Sequence, residues 1–134
     1  MRKLIITAAL TGSLPTKEQN PNVPITPDEI AQDALACYNA GAAVVHIHAR
    51  NAEGKNCHDT AVFQEIHDKI MALAPELIVQ LSTGGRAGMS FESRRGCLFV
   101  NPEMASLSTG SVNFPTSVYE NSPTLITQLA EMMH

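Results

Sequence analysis

With 134 residues, the chain is long enough for one domain with a core of its own. Its net charge of −4 sets aside nucleic acid and anionic membranes as partners. No apolar run approaches the roughly 20 residues of a membrane span. The opening Met1-Arg2-Lys3-Leu4-Ile5-Ile6-Thr7 runs into a Gly/Pro loop with no small-residue cleavage site. It reads as a strand of a cytoplasmic protein rather than as a leader. Cys37, Cys57 and Cys97 are odd in number, widely spaced and without a CxxC pair, so reduced thiols are expected, with Cys37 and Cys97 partly buried.

The first predicted strand covers residues 3–9, and a loop rich in Pro, Asn and Thr follows. Thr26-Pro27-Asp28-Glu29 then marks a helix start: an N-cap hydroxyl, a proline at the first helical position and a Glu three residues after the cap. Ile30, Ala34 and Cys37 form its buried stripe, and Gly41 ends it. A second strand spans residues 43–48. The next helix starts near Asp59, carries Phe63, Ile66, Ile70 and Leu73 on one face and stops at Pro75. A third strand, residues 77–82, leads through Gly84-Gly85 to a short polar helix over 91–98. The fourth strand, 104–108, is followed by a loop containing Asn113 and Asn121. Ser122-Pro123 opens a last helix with Leu125, Leu129 and Met132 in line.

Four strand–helix alternations call for a parallel sheet with helices packed outside it. An open doubly wound sheet and a closed barrel both satisfy that order, and strand parity separates them. Residues two apart share a strand face. Val45 and Ile47 therefore oppose His46 and His48; Leu77, Val79 and Leu81 oppose Gln80 and Ser82; Ala105 and Leu107 oppose Ser106 and Ser108; Leu4, Ile6, Ala8 and Leu10 oppose Thr7 and Thr11. Each strand has an apolar face for helices and a second face that turns polar toward its carboxyl end. That is the distribution of a TIM (β/α)₈ barrel, whose active site lies at the carboxyl mouth of the strands. Such a barrel typically needs about 250 residues, so the chain is expected to be a single domain, residues 1–134, supplying the first four βα units. The end at Glu131-Met132-Met133-His134 has no glycine cap. A downstream segment or a second copy is expected to complete the ring, because bare strand edges invite aggregation.

His46-Ile47-His48 places two imidazoles on one strand face, about 6–7 Å apart along the chain. They can converge on one metal ion, for which neutral imidazole and an open coordination position suit zinc; a hydrogen-bonded pair of lumen histidines is the other reading. His58 and His67 are expected at the surface. Ser82-Thr83-Gly84-Gly85 offers hydroxyls and glycine-freed N–H groups that suit a carboxylate or phosphate, or form an ordinary tight turn. Ser106-Leu107-Ser108 and Gly110-Ser111-Val112-Asn113 repeat that theme. Arg86, Arg94 and Arg95 read as solvated charges, Arg86 near enough to the turn to assist an anion. There is no GxGxxG, Walker P-loop or nucleophile elbow, which leaves nucleotide-binding and Ser-hydrolase readings without support.

Taken together, these segments resemble the β-keto acid cleavage enzymes, the family that includes the 3-keto-5-aminohexanoate cleavage enzyme. The resemblance runs through Lys3-Leu4-Ile5-Ile6-Thr7-Ala8-Ala9, Thr11-Gly12, Thr26-Pro27-Asp28-Glu29-Ile30, Ala40-Gly41-Ala42, His46-Ile47-His48-Ala49-Arg50, Ser82-Thr83-Gly84-Gly85, Pro102-Glu103-Met104-Ala105-Ser106-Leu107 and Gly110-Ser111-Val112-Asn113-Phe114. It covers the whole chain but about half of a family member. It implies a TIM barrel holding Zn²⁺ through His46, His48 and a carboxylate from the missing half. The implied reaction is that of a transferase: a β-keto acid and acetyl-CoA give acetoacetate and a new acyl-CoA. Ser82, Thr83 and Gly85 would hold the substrate carboxylate, and Ser106 would donate to a substrate oxygen. No complete catalytic set lies in this chain, since the acid/base groups are expected further along the barrel. The resemblance also implies a homo-oligomer, a tetramer.

One departure is informative. Members acting on an aminated substrate carry an acidic residue shortly after the Thr-Gly loop, where this sequence has Leu14. Leu14 cannot pair with a cation, so the substrate tail is expected to be neutral or apolar, or to have its charge met elsewhere. This half alone is expected to bind metal weakly and to turn over nothing. Two other readings are a non-catalytic half-barrel that assembles with a partner, and an unrelated metal-dependent aldolase or lyase barrel.

Overall fold

A computed structural model describes residues 4–134. Four parallel strands, β1 (Thr7–Ala9), β2 (Val44–Ile47), β3 (Ile78–Ser82) and β4 (Met104–Ser106), lie side by side in chain order. Helices α1 (Pro27–Asn39) and α2 (Thr60–Leu73) follow β1 and β2; α3 (Phe91–Arg94) with a 3₁₀ turn (Gly96–Val100) follows β3. A two-stranded hairpin, β5 (Val112–Phe114) and β6 (Ser117–Tyr119), and then α4 (Pro123–Met133) follow β4. Sequential parallel pairing with crossover helices is the arrangement of the first four βα units of a (β/α)₈ barrel. Of the first predicted strand, Lys3 lies outside the described residues and residues 4–6 are not in the strand, which begins at Thr7; Leu4 and Ile6 are exposed rather than packed against helices.

The capping box forms as read: Thr26 Oγ1 accepts from the Glu29 N–H at 3.2 Å, and Glu29 Oε2 accepts from the Thr26 N–H at 3.0 Å. Asp59 caps α2 through the Ala61 N–H at 2.9 Å. Ile30, Ala31 and Ala34 bury one face of α1, while Cys37 is only half-buried. Phe63, Ile66 and Ile70 bury one face of α2; Leu73, in its last turn, is exposed. Both helices pack on the apolar strand face made by Val45, Ile47, Val79 and Leu81. Of the described helices, none is long and apolar enough to cross a membrane.

The fourth strand stops at Ser106, short of residue 108, and two further elements differ from expectation. The polar helix over 91–98 is interrupted after Arg94 and continues as the 3₁₀ turn, whose Gly96, Cys97, Leu98 and Val100 are buried. An added Cβ at Gly96 would stand 1.8 Å from the His58 carbonyl oxygen, so a side chain there would collide with the backbone entering α2. The loop after β4 contains the β5–β6 hairpin, which folds over the carboxyl ends of the strands and lends Phe114, Ser117, Val118 and Tyr119 to a cavity there.

Candidate active site

Strand register sets the first rungs of the site. His46 lies beside Gln80 across the β2–β3 pair, and Ser82 beside Ser106 across the β3–β4 pair. At their carboxyl ends opens a cavity of about 620 Å³, lined by His46, His48, Ser82 and Ser106 among others. The apolar alternates, Val45, Ile47, Val79 and Leu81, are all buried on the opposite, helix-packed face.

His46 Nδ1–H donates to Gln80 Oε1 at 2.7 Å, which leaves the Nε2 lone pair free on the other side of the ring. That Nε2 lies 3.2 Å from His48 Nε2. The spacing is a hydrogen bond between the rings as they stand. It also matches the edge of a zinc tetrahedron, about 3.3 Å for bonds of about 2.0–2.1 Å. Burial, followed by the neighbouring His46, Arg50 and His58, lowers the His48 pKa to about 4, so the ring is neutral near pH 7. The donor set and spacing therefore fit a divalent cation. Among the described residues, no third His, Cys, Asp or Glu completes a cluster with them.

The Ser82–Gly85 turn abuts this pair. Its Gly84 N–H donates to Ser82 Oγ at 3.1 Å, and a Cβ on Gly84 would lie 3.6 Å from His48 Cε1. Ser82, Gly84, Gly85 and Ser106 all line the cavity. Thr83 does not. It is 1 % exposed and its hydroxyl donates to the Ser106 carbonyl at 2.6 Å, locking the turn to β4. The parity that aims Ser82 into the cavity turns Thr83 away from it, so its role in holding substrate is corrected to a structural one.

Leu14 and Ser13 reach the cavity from the loop after β1. Arg50, 4 % exposed, ties that loop to the one after β2: its guanidinium donates to the Gly12 carbonyl at 2.9 Å and the Pro15 carbonyl at 3.1 Å in the first and to the Gly54 carbonyl at 2.7 Å in the second. Burial, then the nearby Arg86, lowers its pKa. Arg86 is exposed and lines the cavity, as its place after the turn suggested.

Several histidine and arginine expectations change. His67 lies on α2, beside Asp68 at 3.5 Å. His58 is half-buried and lines the cavity with Asn56; His58 Nδ1 and Asn56 Oδ1 are buried without a hydrogen-bond partner among the described residues. Burial, then Arg94, lowers the His58 pKa. Arg94 is wholly buried rather than solvated. Arg95 stacks its guanidinium on Phe91 and Phe99. Gln80 and Tyr119 join the site beyond the residues expected there: Gln80 shares the His46 face by parity, and Tyr119 belongs to the β5–β6 hairpin.

Fold and site together define half of a TIM barrel with a polar, imidazole-bearing mouth at the carboxyl ends of its strands. The chain belongs to the beta-keto acid cleavage enzyme family, whose model matches residues 3–134. It is 48 % identical over 129 residues to the 3-oxoadipate:acetyl-CoA acetyltransferase of Cupriavidus necator, covering 96 % of this chain and 45 % of that protein. It is 42 % identical over 134 residues to the 3-keto-5-aminohexanoate cleavage enzyme of Acetoanaerobium sticklandii, covering 99 % and 49 % respectively. The solved apo structure of ObcA superposes with a TM-score of 0.74 at 28 % identity, over 84 % of this chain and 28 % of that one. The chain thus spans about half the length of the curated relatives it matches.

Proposed function

We propose that this chain is the amino-terminal half of a zinc-dependent β-keto acid cleavage enzyme, converting a β-keto acid and acetyl-CoA into acetoacetate and a new acyl-CoA. The carrying observation is the convergence of His46 Nε2 and His48 Nε2 beside the Ser82–Gly85 turn. Membership of the family and the printed activities of its relatives support the reaction class. His46 and His48 would hold Zn²⁺ with a carboxylate from the half this chain does not span. Bound zinc would supply Lewis acidity to the keto and carboxylate oxygens of the substrate. Gln80 fixes the His46 tautomer that presents Nε2. Ser82 Oγ and the Gly85 N–H would hold the substrate carboxylate, and Ser106 Oγ would donate to a second oxygen. Leu14, 70 % exposed at the cavity, offers nothing to an ammonium group, which supports a substrate tail that is not cationic. Acid/base groups come from the remainder of the barrel, and the whole enzyme works in the cytoplasm as a homo-oligomer.

An assay of acyl-CoA formation decides this. A protein extended to the length of its relatives, incubated with acetyl-CoA and a panel of β-keto acids, is expected to form acyl-CoA, and its His46→Ala variant is expected to form none. No acyl-CoA from any β-keto acid, 3-oxoadipate included, would refute the reading.

A further inference from the structure

Among the described residues Arg94 is the largest side chain wholly removed from solvent, and no carboxylate pairs with it. Its guanidinium is met by neutral acceptors instead. Nε donates to the Thr83 carbonyl at 2.7 Å, Nη1 to the Glu120 carbonyl at 3.0 Å and Nη2 to Asn121 Oδ1 at 2.8 Å. The Tyr119 ring lies 5.6 Å from the guanidinium carbon. A buried cation kept without a counter-ion is costly, and ordinarily a carboxylate stands beside it. Here its immediate neighbour is Gly85: a Cβ on Gly85 would stand 2.8 Å from Arg94 Cδ. Only glycine lets the turn lie flat against this side chain. The charge also reaches the cavity, since Arg94 helps to lower the His58 pKa.

We propose that Arg94 is a positioning residue for the carboxylate-binding turn. Its Nε–H fixes the Thr83 carbonyl, and with it the peptide that carries the Gly84 N–H, its stem packs against Gly85, and its uncompensated charge lies behind the turn and makes it selective for an anion. The counter-ion missing among the described residues is the carboxylate of the substrate. This rests on the assignment of Ser82 and Gly85 to the substrate carboxylate, and it adds the residue that gives the turn its charge and shape. Arg94 itself touches neither the cavity nor the substrate, because Thr83 and Gly85 intervene.

The test uses this chain, metal-free, with acetoacetate as the anionic probe and methyl acetoacetate as its neutral counterpart. Binding is read from the amide resonances of Gly84 and Gly85. Acetoacetate is expected to shift both and to bind more tightly than the ester. Arg94→Gln is expected to weaken acetoacetate about tenfold and leave the ester unchanged, the order set by one unit charge at an effective dielectric of about 20 behind a partly exposed turn. Arg94→Lys, which keeps the charge, is expected to recover most of the loss. Should Arg94→Gln fail to fold, Asn121→Asp reads the same charge by giving Arg94 a carboxylate, and a loss confined to acetoacetate is again expected. Acetoacetate affinity unchanged in the folded neutral variant, or in Asn121→Asp, overturns the role of Arg94 alone. No shift of Gly84 and Gly85 in the unaltered chain removes the carboxylate assignment of the turn and this inference with it.

Discussion

Replacing Gly85 by alanine puts a methyl carbon 2.8 Å from Arg94 Cδ and 3.1 Å from both Cγ and Nε. The backbone at Gly85 is not left-handed, so the cost is steric rather than torsional. Arg94 has little freedom to yield, because three of its contacts, at 2.7–3.0 Å, tie it to Thr83, Glu120 and Asn121. Overpacking of this kind costs about 1–3 kcal/mol. Lengthening the charged bond to Thr83 adds to it, and the reduced freedom of the unfolded chain gives back about 0.4–1 kcal/mol. A net loss of about 1–3 kcal/mol follows. In urea, with a slope of about 2 kcal/mol/M, the unfolding midpoint should fall by about 0.5–1.5 M. Gly110→Ala is the matched control: its Cβ meets nothing within 4 Å, and its midpoint should move by no more than about 0.3 M. Equal midpoints for Gly85→Ala, Gly110→Ala and the parent would refute the close packing of Arg94 against the turn.

Acid stability should depend on Glu29. The Lys17 ammonium, followed by the Ile25 and Thr26 N–H groups, pulls its carboxyl from the usual 4.5 to about 2. Because the folded pKa is the lower one, its stabilisation is complete above about pH 4.5 and is lost as pH falls toward about 2. The side chain is 40 % exposed, so screening reduces the effect to about 1 kcal/mol; Glu29→Gln should remove that part of the acid limb in pH-dependent urea unfolding. In a full-length enzyme carrying this half, Leu14→Glu should raise kcat/KM for an amino-substituted β-keto acid. No gain would count against a substrate tail lying over Leu14.

Legibility followed the physics of each signal. Strand parity located the cavity face, because alternation holds wherever one face must be buried: Val45, Ile47, Val79 and Leu81 went to the helices, His46 and Ser82 to the cavity. The capping box at Thr26 was equally plain, since its partners lie within four residues. Arg94 was not legible. Its burial depends on acceptors 11, 26 and 27 residues away, and no local pattern distinguishes it from the exposed Arg86. His58 was hidden likewise, since its backbone packs against Gly96, far along the chain. The β5–β6 hairpin did leave a trace, Val112-Asn113-Phe114 and Ser117-Val118-Tyr119 around a two-residue Pro-Thr link, but each strand has only three residues. Thr83 shows the reverse error, a residue in the right motif whose side chain parity sends the other way.

At the centre of the proposed site stands one cation held between two imidazoles. Zinc titrated into this chain, with the ring nitrogens of all five histidines followed by NMR, tests it directly. His46 Nε2 and His48 Nε2 should shift together, even if the affinity of this half is low, and the effect should vanish in the His46→Ala, His48→Ala double variant. Zinc bound as tightly by that double variant as by the parent, or shifts confined to His58, His67 and His134, would contradict the account.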